Sequence, residues 1–311
     1  MESVPITVII TAYNRERFIL DAINSALNQT IDKNLYELIV ISNFKNNDLS
    51  KICKENDIKF ILSNNNPLGD KIKEGIINTQ GKVICFLEDD DQFMPDKLNV
   101  IYKKMVLGKI VYYHNRHIAV DENGSNIKYA GTPAYANLSS MSIKRDLIPI
   151  EALDKITNLE FLFYLSALNS GNKIVKYGKW LSKYMVHPSD SHKAVESVKE
   201  LRKKRETTYA KMENERKILS ALFTSGRAGR CIRAVSTSNE IEMFCLDANK
   251  KPKNIISYFL NRDIMFRKRI NKLRKYILTM AFPKKMNKYF VSRLNEEVKN
   301  SNKFSETPSN L

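Results

Sequence analysis

Four short apolar segments that alternate with amphipathic segments place the strongest constraint on the fold of this chain. The apolar segments are rich in β-branched residues and predict buried strands, whereas the segments between them repeat apolar residues at helical spacing. The strand-like segments are VPITVIITAY, LYELIVIS, KFILS and KVICFLE. This alternation is typical of a doubly wound, mostly parallel sheet that is flanked by helices. We therefore expect an α/β fold that binds ligands beyond the carboxyl ends of its strands.

Further elements are predicted along the rest of the chain. We expect a helix from Asp96 to Val106, two strands around an Asp-Glu-Asn-Gly turn, an apolar helix that ends at Gly171 and a strand from Trp180 to Val186. From about Val195 the sequence becomes strongly charged and its pattern predicts helices. The C-terminal part of the chain is therefore expected to be mainly helical.

Positive charge is concentrated in this C-terminal part. The chain has 51 Lys and Arg residues against 34 Asp and Glu, which gives a net charge of +17. Residues 1–195 carry 24 basic against 22 acidic residues, whereas residues 196–311 carry 27 against 12. We therefore predict a near-neutral catalytic or binding domain over residues 1–195. The basic region over residues 196–311 would favour anionic surfaces, either membrane or nucleic acid.

The cysteines and the N-terminus predict a cytoplasmic protein. The four cysteines are widely spaced and form none of the close pairs that mark zinc or redox motifs, so we expect buried, reduced thiols. The N-terminus lacks the features of a secretory signal, and no segment approaches the roughly 20 apolar residues of a membrane helix. The basic region leaves open a peripheral position at the cytoplasmic face of the membrane.

An acidic run, Glu88 to Asp91, directly follows the fourth strand-like segment. Like charges at this spacing repel one another and raise the pKa of one or more of the carboxyl groups. A divalent cation would remove the repulsion, and carboxylates suit Mg²⁺ or Mn²⁺ that is also bound by water and substrate phosphates. The alternative is a solvated acidic turn before the next helix, where Asp is favoured in any protein. The spacing alone favours neither.

The order of the motifs resembles that of the family 2 nucleotide-sugar glycosyltransferases of the GT-A fold. ITVIITAYNRERFILDAINSALNQT and YELIVIS resemble the opening of these enzymes, and FLEDDDQFMPDKL resembles their acidic motif. The resemblance continues through VYYHNRHIAVDENGS, SSMSIKRDLI, LEFLFYLSALNSGNKI and YMVHPSDSH, and it covers residues 4–192. It implies a GT-A fold and an inverting transfer of a sugar from a nucleotide-diphosphate sugar.

The resemblance also implies a binding site for the nucleotide. Thr11 and Tyr13 match the residues that line the base, and the Tyr13 ring offers a face for stacking. The family commonly has an acidic pair after the second strand, one member of which binds uracil, and this chain has Ser42 and Asn43 there. Both side chains donate and accept hydrogen bonds, so uridine, thymidine and guanosine donors all remain open.

Charged residues complete the donor site that the resemblance implies. Lys71 is the best placed cation for the phosphates of the donor, with Lys73 as the alternative. Asp90 matches the residue that contacts the ribose, and Asp91 matches the residue that holds the metal. An offset of one residue within the run stays open, and Asp89 is the reserve candidate.

Two further residues are predicted to act near the reaction centre. Glu160 lies eleven residues before Gly171, which matches the general base of the family, and its apolar neighbours would raise its pKa towards a useful range. The family usually has an acidic pair there, and Leu159 takes the first place in this chain. His187 matches a late motif at which a polar residue contacts the metal or the diphosphate.

These matches imply an inverting, metal-dependent glycosyltransferase that uses Mn²⁺ or Mg²⁺. The expected acceptor is a hydroxyl of a glycan or of a polyprenyl-linked glycan, as in the synthesis of cell-surface glycans. One alternative is an inactive scaffold that binds nucleotide sugars. A nucleic-acid-binding protein is a weaker alternative, because no RNA or DNA motif accompanies the basic residues, so no nucleic acid partner is expected. A nicotinamide dehydrogenase is excluded because no G-x-G-x-x-G follows the first strand.

The segment from Arg262 to Arg293 predicts a membrane contact. It contains eleven Lys and Arg residues and a single acid, Asp263. Apolar residues recur there at helical spacing, namely Phe266, Ile270, Leu273, Ile277 and Met280. An apolar face among many cations is typical of a helix that lies in an anionic membrane interface, so residues 262–293 are expected to bind one. The alternative is a helix whose apolar stripe packs on the catalytic domain.

Overall fold

The computed structural model describes residues 4–65, 67–127, 137–186, 197–247, 249, 251–253, 255–260 and 266–305. The chain divides into two compact units, Met1–His187 and Pro188–Leu311. The domain boundary that we predict after residue 195 falls outside the described residues and stays a prediction.

The first unit contains ten strands among its described residues. They are β1 (Ile6–Ala12), β2 (Tyr36–Ser42), β3 (Lys59–Leu62), β4 (Val83–Glu88), β5 (Gln92–Phe93), β6 (Ile110–His114), β7 (Arg116–Val120), β8 (Met141–Lys144), β9 (Lys173–Val175) and β10 (Trp180–Met185). Seven of them form one sheet in the order β3-β2-β1-β4-β8-β6-β9, and three form a second sheet in the order β5-β10-β7. In the large sheet β8 is antiparallel to both of its neighbours, and all other pairs are parallel. The prediction of a mostly parallel α/β sheet is therefore confirmed.

Helices cover both faces of the large sheet. They are α1 (Glu16–Leu27), α2 (Asn47–Glu55), α3 (Leu68–Ile77), α4 (Lys97–Ile101) and α5 (Leu159–Asn169). All seven residues of β1 are buried, as expected for a central strand that is covered on both faces. One apolar side of α1 joins the core through Ile19, Ala22, Ile23 and Ala26. Gly171, whose φ of 71° suits glycine, follows the end of α5 as predicted.

Two predicted elements differ in the structure. The helix expected from Asp96 to Val106 is α-helical only over α4, and a turn of π-helix continues it from Tyr102 to Val106. Of the two strands expected around the Asp-Glu-Asn-Gly turn, β7 precedes the turn, and an isolated antiparallel bridge joins Val120 to Asn126 across it. The rest of the second strand falls on residues 128–136, outside the described residues. The strand before β7, β6, belongs to the other sheet. The chain leaves one sheet for the other at Asn115, where neither Gly nor Pro marks the break.

The second unit is helical, which confirms the prediction for the C-terminal region. Its helices are α6 (Val198–Leu222), α7 (Gly226–Leu246), α8 (Ile255–Leu260), α9 (Phe266–Ala281) and α10 (Pro283–Ser305). Apolar residues of several of these helices, including Ile241, Tyr258, Phe290 and Leu294, form its core. Among the described residues of either unit, none of the helices has the length and apolar character that crossing a membrane requires.

Candidate active site

The carboxyl ends of β1, β2 and β4 meet at one edge of the large sheet. Thr11 near the end of β1 pairs with Ile41 of β2 on one side and with Glu88 of β4 on the other. Because the three strands are parallel and adjacent, the segments that follow them lie close together. Most of the predicted site residues lie on or just after these strand ends, namely Thr11, Tyr13, Ser42, Asn43, Asp89, Asp90 and Asp91.

Hydrogen bonds and ion pairs join the segment after β1 to the acidic run. The backbone N–H of Tyr13 donates to Oδ2 of Asp89 at 2.9 Å. The guanidinium of Arg15 forms ion pairs with Asp89, at 3.0 Å, and with Asp90. Burial raises the pKa of Asp89 to about 6, although Arg15 and the Tyr13 N–H oppose this shift. Arg15 is a site residue that the sequence prediction missed, and the only signal for it was a basic residue just after a buried strand.

The residues of the acidic run differ in burial. Glu88 and Asp90 keep some exposure, and the Asp90 side chain is 14% exposed, whereas Asp89 and Asp91 are each only 1% exposed. One oxygen of Asp91 accepts a hydrogen bond from Asn137 Nδ2 at 3.1 Å. The other oxygen accepts from the backbone N–H of Met185 at 3.0 Å. Asp91 is therefore anchored inside the unit, whereas the Asp90 carboxylate pairs with Arg15 and stays partly exposed.

The environment of Asp91 disfavours its negative charge. Burial, together with the neighbouring charge of Asp90, raises the pKa of Asp91 to about 7. Hydrogen bonds from Ser139, Met185 and Asn137 oppose this shift. Burial thus outweighs three hydrogen bonds at this carboxyl group.

Packing between α5 and β4 brings Glu160 to the acidic run. The ring of Phe163 stacks on that of Phe86, with 4.9 Å between the ring centroids. Glu160 precedes Phe163 by one helical turn, and Glu88 follows Phe86 by two residues on the same face of the strand. The negative charge of Glu160 accordingly contributes to the raised pKa of Glu88. Burial also raises the pKa of Glu160 itself.

Lys71 lies beneath the exposed ring of Tyr13. Its side chain is 2% exposed, and Nζ lies 4.3 Å from the centroid of the Tyr13 ring. Nζ also donates a hydrogen bond to the carbonyl oxygen of Ala12 at 3.4 Å. Burial lowers the pKa of Lys71, and the charges of Asp89 and Glu74 oppose this. The predicted contact with phosphate thus falls on a buried ammonium group, which in this structure supports the Tyr13 ring.

The polar residues after β2 hold the segment after β1. Asn14 donates its backbone N–H to Oδ1 of Asn43 at 3.0 Å, and Asn43 Nδ2 donates to the side chain of Asn14 at 2.6 Å. Asn14 has a φ of 57°, a left-handed conformation that Asn tolerates better than most residues. Ser42 is fully buried, and its hydroxyl accepts the N–H of Phe44 at 3.1 Å. Only Asn43 of this pair is partly exposed.

A buried lysine is linked to the acidic run through Ser139. Lys97 is fully buried, and its Nζ donates to the carbonyl oxygen of Ser139. The hydroxyl of Ser139 in turn accepts the backbone N–H of Glu88 at 2.9 Å. Burial lowers the pKa of Lys97 to about 7. Ser139, Asn137 and Met185 reach the acidic run from distant parts of the chain, so their contacts with it were not predicted.

The acidic run fits a divalent cation by its electrostatics. The pKa of Glu88 is raised well above its ordinary value by burial and by the charges of Asp91, Asp90, Glu160 and Asp89. A bound cation relieves such repulsion. In the part of the chain that the structure describes, no group of three or more His, Cys, Asp or Glu side chains is arranged to hold a metal ion. The predicted ligand His187 falls outside that part.

Comparison with known proteins relates this chain to a protein family. Residues 7–157 match the model of glycosyl transferase family 2. An uncharacterized glycosyltransferase of Rickettsia conorii is 35% identical over 127 residues, which are 40% of this chain and 21% of that protein. The glycosyltransferase GlyA of Streptococcus pneumoniae is 31% identical over 106 residues, which are 32% of this chain and 15% of that protein. The chain thus spans about a fifth of the length of these relatives, or less.

Solved structures share the fold. TarS 1–349 of S. aureus in complex with UDP-GlcNAc has a TM-score of 0.57 and 13% identity, over 97% of this chain and 91% of that chain. The mannosyltransferase PcManGT of Pyrobaculum calidifontis in complex with GDP-Man and Mn²⁺ has a TM-score of 0.50 and 10% identity, over 91% and 88%. Residues 7–157 are therefore similar to the glycosyl transferase family 2 domain, and the structure has the GT-A fold.

Proposed function

We propose that this chain is a glycosyltransferase that moves a sugar from a nucleotide-diphosphate donor to a hydroxyl group of an acceptor, with inversion at the anomeric carbon. The observation that carries the proposal is the placement of Glu160 beside the acidic run at the carboxyl ends of the parallel strands. A base next to a site for a diphosphate is the arrangement that a single displacement requires.

The donor nucleotide would bind over the segment after β1. The Tyr13 ring is 42% exposed, and the ammonium group of Lys71 lies on one of its faces, so the other face is available for stacking on a base. Asn43, at the end of β2, offers an amide for base recognition, and Arg15 offers a cation near the phosphates. The structural relatives TarS and PcManGT were solved with UDP-GlcNAc and GDP-Man, which supports a nucleotide-sugar donor without choosing the base.

Glu88 and Asp90 would hold a divalent metal, Mn²⁺ or Mg²⁺. They are the two members of the acidic run that keep some exposure. When bound, the metal would neutralise charge on the diphosphate as it leaves. Asp91, which the family resemblance implies as the metal residue, would instead anchor the run from inside, since both of its oxygens already accept hydrogen bonds. Mn²⁺ in the solved structure of PcManGT supports a divalent cofactor.

Glu160 would act as the general base. Its raised pKa suits a carboxylate that must take a proton from a hydroxyl group near neutral pH. It lies in the first turn of α5, where Asn158 caps the helix by accepting the N–H of Phe161 at 2.9 Å. The proton of the acceptor hydroxyl would pass to Glu160 as the oxygen attacks the anomeric carbon.

The acceptor would be a glycan or a polyprenyl-linked glycan at the cytoplasmic face of the membrane. The four cysteines are free and buried, as expected in a reducing compartment. The basic C-terminal region would suit an acceptor that is attached to an anionic membrane. Synthesis of cell-surface glycans uses acceptors of this kind and is the process that we propose.

An inactive scaffold that binds nucleotide sugars is the second candidate. Leu159, which takes the place of an acidic residue next to Glu160, is 1% exposed and packs in the core. Such a protein would bind the donor through the strand ends and lack turnover.

Thermal-shift measurements with UDP-, GDP- and dTDP-sugars, each with and without Mn²⁺, test the proposal. We expect one nucleotide class to raise the melting temperature, and to raise it further with Mn²⁺. Release of the nucleoside diphosphate from that donor, measured with candidate acceptors, then separates an enzyme from a scaffold. No shift with any donor would contradict both candidates.

A further inference from the structure

Helix α9 packs within the second unit through a side that carries both charged and apolar residues. Lys272 and Lys275 both form ion pairs with Glu242 of α7, at 3.0 Å for Lys275. The neighbouring residue Tyr276 places its ring 5.5 Å from that of Phe244. Because both ion pairs are largely buried, they determine which side of α9 faces the unit.

The opposite side of α9 carries apolar residues that face solvent. Ile270, Ile277 and Met280 are 44%, 53% and 49% exposed. Their spacing places them on one side of the helix, away from Lys272 and Lys275. An ordinary surface helix buries such residues, whereas α9 buries Lys272 and leaves these three exposed. None of the described residues therefore covers this side of α9.

Exposed apolar residues also follow the end of α9. Phe282, between α9 and α10, is 57% exposed, and Tyr289 of α10 is 51% exposed. We call the five residues Ile270, Ile277, Met280, Phe282 and Tyr289 the apolar strip. Several large exposed apolar residues within one short segment indicate a site of interaction.

Positive charge surrounds the apolar strip. Residues 266–293 contain ten Lys and Arg residues and no Asp or Glu. Four of the cations lie exposed next to the strip, namely Arg274, Lys284, Lys285 and Lys288. A second copy of the chain would bring like charges together across the contact. A nucleic acid would pair with the cations but would leave the aliphatic side chains uncovered.

We propose that the apolar strip docks on the surface of a membrane that contains anionic lipid. The apolar side chains would enter the boundary between headgroups and acyl chains, and the exposed cations would contact anionic headgroups. The inference goes beyond the transfer reaction and uses no residue of the donor site.

Flotation of the full chain with lipid vesicles tests the proposal. We expect binding to vesicles of phosphatidylcholine mixed with phosphatidylglycerol, and little binding to phosphatidylcholine alone. The double substitution Ile277→Glu with Phe282→Glu is expected to reduce binding at least about tenfold. Changing Lys284, Lys285 and Lys288 to Ala is expected to reduce binding about a hundredfold at low salt.

A matched control comes from exposed apolar residues of the first unit. Ile77 and Leu107 are 65% and 69% exposed. The double substitution Ile77→Glu with Leu107→Glu adds the same charge and is expected to leave vesicle binding unchanged. Circular dichroism and thermal unfolding of each variant establish that it is folded.

Three results would overturn the proposal. The first is equal flotation of the wild type and the Ile277→Glu, Phe282→Glu variant, and the second is no flotation of the wild type with anionic vesicles. The third is self-association that this variant abolishes, without vesicle binding, because a second copy would then cover the strip. Vesicle binding is measured without donor or acceptor, so a failure of the proposed reaction leaves this test unaffected.

Discussion

The backbone N–H of Tyr13 and the carboxylate of Asp89 are joined by a hydrogen bond of 2.9 Å. This contact connects the segments that follow two adjacent parallel strands, β1 and β4. It places the residue proposed to stack on the base next to the run proposed to hold the metal. Arg15 reinforces the connection through its ion pairs with Asp89 and Asp90.

Replacing Asp90 by Asn is expected to weaken donor binding that depends on Mn²⁺ by at least about tenfold. The substitution removes a partly exposed carboxylate of the acidic run that is proposed to bind the metal. Isothermal titration of the donor, with and without Mn²⁺, measures the effect. Asp21→Asn, on the exposed side of α1, is the matched control and should bind as the wild type does. Unchanged Mn²⁺ dependence in Asp90→Asn would remove Asp90 from the metal site.

Replacing Glu160 by Gln is expected to lower turnover by about 10² to 10⁴-fold and to leave donor affinity unchanged. The amide keeps the shape of the side chain but cannot take the proton of the acceptor. Steady-state rates of nucleoside diphosphate release, together with donor titration, measure the two effects. Glu151→Gln, an exposed residue of the same region, is the control. Equal turnover in the wild type and in Glu160→Gln would exclude Glu160 as the general base.

The rate of transfer is expected to fall as the pH decreases, with a midpoint above the ordinary pKa of a glutamate side chain. Burial raises the pKa of Glu160 above 4.5. The base must be ionised, so kcat falls as the pH decreases through this raised pKa. A profile of kcat against pH measures the midpoint. A kcat that stays constant down to pH 4.5 would contradict the assignment.

Metal-free protein is expected to lose stability through Asp91 as the pH rises from about 4 to about 7. The pKa of Asp91 is about 7 in the folded state and 3.8 for the ordinary group. Between these values the folded state binds the proton and the unfolded state does not. The free energy of unfolding therefore decreases as the pH rises, by up to about 1.4 kcal/mol per pH unit from this group. Urea unfolding with a chelator, compared between the wild type and Asp91→Asn, measures this slope, and identical slopes would contradict it.

The sequence was sufficient to predict the first four strands and the helices between them. Their signal is local, because a strand that is covered on both faces, such as Ile6–Ala12, must be apolar along its length. The small sheet was not predicted. Its pairing joins Gln92–Phe93 to Trp180–Met185 across a long separation in sequence, and no local pattern encodes such a choice of partner.

The sequence predicted those site residues that lie within recognisable motifs. Tyr13, the acidic run and Glu160 lie within recognisable segments, and the structure brings them to one edge of the sheet. The direction in which each acid points was not predicted. It depends on Asn137 and on Met185 at the end of β10, which bind Asp91 and which only the tertiary fold brings near. For the same reason the sequence could not indicate that Lys71 would be buried under Tyr13.

The acidic run depends on its length as well as on its composition. Asp89 and Asp90 form a turn, and the backbone N–H of Asp91 closes it by donating to the carbonyl oxygen of Glu88 at 3.2 Å. A deletion of one residue would remove this turn, and the acid that follows it would no longer meet both Asn137 and Met185. A shortened variant would thus keep three carboxylates yet lose the anchor of the run.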